Sequence, residues 1–141
     1  MKELVAITFC LFLFAQCNPA KEQPYVLLAE FPPIIIKNAQ EAEIKQISIY
    51  LKRNNTVIDT GKLFLYSISG NNIDVQFKLN KTDTLYRNDN IRFNLSGGEY
   101  IVSDFQKRKV QSPGDPYIIS YKINNVSFVE RNGYIDTKGG Q

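Results

Sequence analysis

Hydrophobic and polar residues alternate with a period of two over long stretches of this chain. Ile73, Val75, Phe77 and Leu79 alternate with Asp74, Gln76, Lys78 and Asn80, and Ile91, Phe93 and Leu95 alternate with Arg92 and Asn94. Tyr117, Ile119, Tyr121 and Ile123 repeat the pattern against Ile118, Ser120 and Lys122. Successive side chains of a strand point to opposite faces, so each stretch predicts a strand with one face for a core and one for water. Two further β-rich runs, 44–52 and 57–67, flank Arg53-Asn54-Asn55-Thr56. Asparagine tolerates the left-handed backbone of tight hairpins, so this tetrapeptide predicts a turn, as do Gly70-Asn71-Asn72, Gly97-Gly98 and Asn124-Asn125. Ser112-Pro113-Gly114-Asp115-Pro116 predicts a longer loop. Residues 38–43 alone suit a helix, of one or two turns behind an Asn38 cap.

Short strands separated by regular turn signals predict an all-β fold, an immunoglobulin-like or transthyretin-like β-sandwich of about seven or eight strands. At 43% hydrophobic and 12% aromatic the chain has the material for a core. Its 141 residues suit one domain of ordinary size once the front of the chain is set aside. There are two cysteines, Cys10 and Cys17, and none beyond, so that domain must hold together by burial without disulfides.

The first 33 residues break the alternation. Lys2 opens an apolar run, residues 4–14, that ends at Phe14-Ala15-Gln16-Cys17. A spanning helix needs about 20 apolar residues, so this run reads as a removable leader. The segment resembles the signal and lipobox of bacterial lipoprotein precursors, in which a signal peptidase cuts before the cysteine. Phe14 and Gln16 stand where that box usually has Leu and Gly or Ala. The resemblance covers residues 1–17 and implies a diacylglycerol on the Cys17 sulfur, usually a further acyl chain on its amino group, and a place in the bacterial envelope. With Asn18 after the cysteine, the sorting rule of some enteric bacteria would send the protein to the outer membrane. The competing reading is ordinary secretion with cleavage after Ala15 or Ala20. Residues 17–33 follow as a lipidated cysteine and a Pro-rich tether in which 25–31 can lie down as an edge strand. The sandwich domain then spans 34–132, and 133–141 reads as a frayed polar tail.

The leader carries one basic and one acidic residue, so the net charge of +3 is unchanged by its loss. That mild excess gives no case for nucleic acid. The longest basic cluster, Lys107-Arg108-Lys109, reads as a solvated strand end, with anionic lipid or phosphate as the alternative partner.

Missing residue types narrow the chemistry further. Without histidine there is no Ser-His-Asp or Cys-His centre and no zinc site of nitrogen and sulfur ligands. No serine beyond the leader begins an S-x-x-K pattern, and no Gly-rich phosphate loop occurs, so no catalytic residue, metal ligand or cofactor is assigned. Asn88-Asp89-Asn90 and Asn71-Asn72-Ile73-Asp74 have calcium-type oxygens without the spacing of a known loop. Asp59, Asp83, Glu99, Asp104 and Asp115 could supply the acid pair of a glycosidase, although nothing in the sequence pairs any two. The tyrosines, among them Tyr50, Tyr66, Tyr86, Tyr100, Tyr117, Tyr121 and Tyr134, read as core edges or as a binding surface. The expected role is a non-enzymatic accessory subunit of a larger envelope assembly, held to the membrane by its lipid and to a protein partner by its surface. A small-ligand or glycan-binding module, and an inhibitor or immunity lipoprotein, are the alternatives.

Overall fold

A computed structural model describes the backbone of residues 22–23, 25–109 and 117–138, and the side chains of 25–108 and 117–138. The leader, Cys17, Asp115 and the 112–116 loop lie outside the described residues.

The chain is all-β, as the alternation predicts, and the strands outnumber the expected seven or eight. Ten of them make one sheet. Its central part is β4 (Ser48–Arg53), β5 (Thr56–Ser69), β6 (Asn72–Leu79) and β8 (Asn90–Leu95). On one side follow β9 (Gly98–Lys109), β10 (Tyr117–Ile123) and β11 (Val126–Val129); on the other lie β3 (Ile34–Lys37) and β12 (Tyr134–Asp136). The order is β11-β10-β9-β8-β4-β5-β6-β3-β12, and the short β1 (Glu22–Gln23) pairs with the outer half of β9. β2 (Tyr25–Leu27) and β7 (Thr84–Tyr86) form a separate two-stranded sheet that lays Val26 and Leu85 into the core.

Sequence alternation becomes burial directly. Ile73, Val75 and Phe77 on β6, Ile91, Phe93 and Leu95 on β8, and Ile119, Tyr121 and Ile123 on β10 are all buried. The hairpin turns are those the sequence asks for. Asn54 and Asn55 (φ 53° and 63°), and Asn124 and Asn125 (φ 47° and 69°), occupy the left-handed region in pairs, the geometry that matches strand twist.

The long sheet curls into a half-barrel. From β6 to β10 is five interstrand steps, about 24 Å across a flat sheet. Phe31 nevertheless stacks on Phe77 of β6 (centroids 5.6 Å apart) and meets Tyr121 of β10 at 4.9 Å and Phe105 of β9 at 5.5 Å. Phe77 also approaches Phe93 of β8 at 6.4 Å, across the core. One sheet thus supplies most of both walls of a sandwich-like core. A bulge in β9 assists: Ser103 pairs with Lys122 and Gln106 with Ser120, leaving Asp104 and Phe105 against Tyr121 alone. Asp104 takes φ 55°, which shifts the parity so that Phe105 turns inward.

The ends of the curled sheet, β11 and β12, are consecutive in sequence and joined by a 3₁₀ turn at Glu130–Asn132. Tyr121 pins this seam. Its buried hydroxyl donates to the Glu130 carbonyl (2.7 Å) and accepts the Gly133 N–H (3.1 Å), while the Glu130 carboxylate accepts the Ile119 N–H (2.8 Å). Burial pushes the Tyr121 pKa up to about 12, partly offset by the Gly133 hydrogen bond. A free tyrosine ionises near 10, so this group's contribution to stability is complete below about pH 10 and is lost as pH rises from there through about 12. Alkaline titration followed by tyrosinate absorbance and circular dichroism is expected to show unfolding in that window. Tyr121→Phe should cost about 1–2 kcal/mol at neutral pH and flatten that alkaline loss.

Three expectations change here. The tether ends sooner than residue 33, because Val26 and Phe31 are core residues (0% and 4% exposed), with 25–27 in the edge strand the sequence allows. The tail expected at 133–141 is ordered through 138: β12 pairs in parallel with β3, Ile135 is fully buried, and Thr137 Oγ1 donates to the Asn38 carbonyl (2.7 Å). The helix, α1 (Glu41–Lys45), is one short turn as predicted, but its N-cap is Gln40. Asn38 instead sits at φ 62° and donates its amide to Asp136 (3.0 Å), tying the start of the domain to its end.

Candidate functional site

The acids that could have formed a catalytic pair are dispersed. Asp59 is buried at the inward side of β5, where it accepts the N–H groups of Thr60, Lys81 and Thr82 at 2.7–2.8 Å. Burial alone would raise its pKa; the three backbone donors outweigh it and hold the carboxyl below its ordinary value. Its role is to fix the turn after β6. Asp83 is exposed and accepts the Thr84 hydroxyl, Glu99 lies 3.7 Å from Arg92, and Asp104 sits between Arg87 (3.2 Å) and Lys122 (3.6 Å).

The calcium-type segments are likewise occupied internally. Both oxygens of the fully buried Asp89 side chain accept from Arg53 (2.8 and 2.9 Å), and one also accepts the Tyr86 N–H. The hydrogen bond to Asp89 raises the Arg53 pKa, and the guanidinium lies over the Tyr86 ring at 4.7 Å. Asp74 accepts the Ser67 hydroxyl. Among the described residues no group of three or more His, Cys, Asp or Glu side chains could hold a metal ion.

The tyrosines divide as their strand positions dictate. Tyr100 and Tyr121 are buried, whereas Tyr50, Tyr66, Tyr86, Tyr117 and Tyr134 are exposed. Tyr50 borders an open hollow of about 520 Å³ on the outer face of β4, β5 and β6, together with Ser48, Thr60, Lys62, Lys78 and Asn80. Lys62 and Lys78 face each other across the β5–β6 ladder, and neither forms an ion pair with another described residue. Like charges in register cost stability. The hollow offers cations, hydroxyls and an amide with no carboxylate, so it can attract an anion but lacks an acid–base pair.

Two other regions lie on β5 and on the outer part of β9. Ile101 of β9, Arg92 of β8, Tyr50 of β4 and Thr60 of β5 form one row of register partners. From that row β9 and β5 run in opposite directions, yet the curl brings them back together at the seam: Arg131 of the 3₁₀ turn lies 5.9 Å over the Tyr66 ring, and its neighbour Glu130 accepts the N–H of Ile119, the register partner of Lys107. The far half of β5 carries Phe64, Tyr66 and Ile68, each just over half exposed. The bulge at Tyr66, where Leu65 pairs with Val75 and Ser67 with Asp74, leaves that residue without a partner opposite. No sequence pattern announces this, because the run 57–67 reads as a strand whichever way its side chains face.

The outer part of β9 receives the short β1: Glu22 pairs with Arg108 and Gln23 with Lys107. Lys107 is held by both oxygens of Glu30 (2.7 and 2.9 Å) and lies 4.8 Å over the Tyr117 ring. The Lys107 hydrogen bond lowers the Glu30 pKa. Arg108 is exposed and beside a small hollow lined also by Ile118, Ser120 and Val129. Cys17, the one site residue the sequence assigns, lies outside the described residues, five positions before Glu22. No protein family, curated protein or solved structure matches this chain.

Proposed function

We propose that this protein is a lipid-anchored, non-enzymatic lipoprotein of the bacterial envelope, acting as an accessory or structural subunit of a larger assembly such as a secretion, conjugation or export machine. The observation that carries the reading is a row of exposed apolar side chains on β5. Three large apolar side chains stay about half exposed there, with Arg131 of the seam lying over the middle one. An anchor through Cys17 would leave that row to meet a protein of the envelope. Phe64, Tyr66 and Ile68 give such a contact aromatic and aliphatic surface of the kind that anchors interfaces. The buried acids, each satisfied by backbone N–H groups or Arg53, are built for stability, in keeping with a role in binding.

Crosslinking in cells tests this reading. Wild type is expected to capture a stoichiometric envelope protein. The Phe64→Ser/Tyr66→Ser double variant, still folded and membrane-bound, is expected to lose it by tenfold or more, the effect of about 1.4 kcal/mol. Equal capture by both proteins, or capture by neither, would contradict it. A second reading, a module for a small anionic ligand, is favoured by the uncompensated Lys62–Lys78 pair beside Tyr50. It predicts instead that Lys62→Ala, and neither β5 apolar substitution, abolishes function.

A further inference from the structure

We propose that the end of the sheet where β1 meets β9 rests on the membrane surface, with Arg108 against the anionic phosphates of lipid headgroups. The inference builds on the lipid-anchor reading and adds an orientation to it. Its first ground is chain length. Five residue steps separate Cys17 from Glu22, a span of at most about 18 Å however the segment is arranged. Glu22 is the register partner of Arg108, so a lipid on Cys17 holds the outer end of β9 within that distance of the bilayer.

The second ground is what that end presents. Lys107, Arg108 and Lys109 follow one another on β9, whose end pairs with the exposed Tyr117 that opens β10. Glu30, the acid that Lys107 contacts here, is already engaged with it, while Arg108 forms no ion pair with another described residue. Asp104, further down β9, is engaged by Arg87 and Lys122. A free guanidinium matches phosphate oxygens in pairs, and a ring such as Tyr117, with an apolar body and a polar tip, suits the headgroup boundary. A basic side chain held close to an anionic surface contributes attraction that decays within a Debye length, about 8 Å in physiological salt. A short tether is therefore what makes this cluster effective. The same geometry turns the β5–β6 hairpin, with Gly70 and Asn71 at its tip, away from the bilayer.

The test uses the full lipidated protein in phosphatidylcholine vesicles, with and without phosphatidylglycerol, bearing a fluorescent label at Tyr117→Cys or at Asn71→Cys. Spin-labelled headgroups should quench the Tyr117 label strongly and the Asn71 label little, and only the Tyr117 signal should depend on phosphatidylglycerol. Arg108→Glu should reduce the docked fraction about fivefold or more, the strength of one basic residue at such a surface. Protein that floats with the vesicles but shows equal quenching at both labels, or no response to Arg108→Glu, would overturn the orientation and leave the anchor standing. Finding that the protein made in cells carries no lipid and does not float with the vesicles would remove the anchor and the orientation together.

Discussion

Phe31→Ala is expected to destabilise the domain by about 3–5 kcal/mol, the range for deleting a large buried ring. Phe31 follows the small sheet and precedes Pro32-Pro33, yet it is 4% exposed and touches the rings of Phe77, Phe105 and Tyr121. Phe105 and Tyr121 lie on the adjoining β9 and β10, whereas Phe77 lies on β6, which would be far from both in a flat sheet, so the side chain fills the space the curl creates. The surrounding walls are hydrogen-bonded strands and cannot collapse fully into the cavity left by alanine. Domains of this size have about 5–15 kcal/mol in total, so the variant should be poorly folded at body temperature. Urea unfolding checks this, and Phe31→Leu should cost under half as much. A loss below 1 kcal/mol for the alanine variant would mean that the curl does not depend on this contact.

Gly61→Ala is expected to be nearly as damaging, about 3 kcal/mol or more, although it adds a single methyl group. Gly61 sits in mid-strand, paired with Ile49 on one side and Leu79 on the other. A Cβ there would overlap the Lys78 carbonyl oxygen and lie 2.8 Å from the Leu79 Cα. Neither atom can move away without opening the β5–β6 ladder. Glycine inside a strand marks a place where another backbone comes close, and here it permits the approach that bends the sheet. The thermal midpoint should fall by roughly 10 °C or more. Gly70→Ala at the hairpin tip is the contrast, since its Cβ meets nothing within 4 Å and any cost there comes from its φ of 60°.

What was legible in the sequence was whatever depends on neighbours along the chain. Period-two alternation located β6, β8 and β10 and their buried faces, and paired asparagines located two hairpins, because both signals are local. Features made by distant pairings were not legible. Residues 134–136 look like part of a polar terminal stretch until β3, about a hundred residues earlier, pairs with them; Phe31 looks like part of a tether until three strands close round it. Asp59 and Asp89 were reasonable acid or calcium candidates by residue type, and only the fold reveals that backbone N–H groups and Arg53 take up their oxygens. The β9 bulge at Asp104 and the β5 bulge at Tyr66 each shift side-chain parity, which alternation alone cannot anticipate.

The covalent state of Cys17 decides whether the protein is anchored, and the intact mass of the protein purified from cell membranes tests it directly. The predicted result is a chain that begins at Cys17 and carries a diacylglycerol, usually with a further acyl chain, while Cys17→Ala yields neither the cut nor the lipid. A lipid-free chain beginning after Ala15 or Ala20, identical in wild type and variant apart from the substitution, would contradict it.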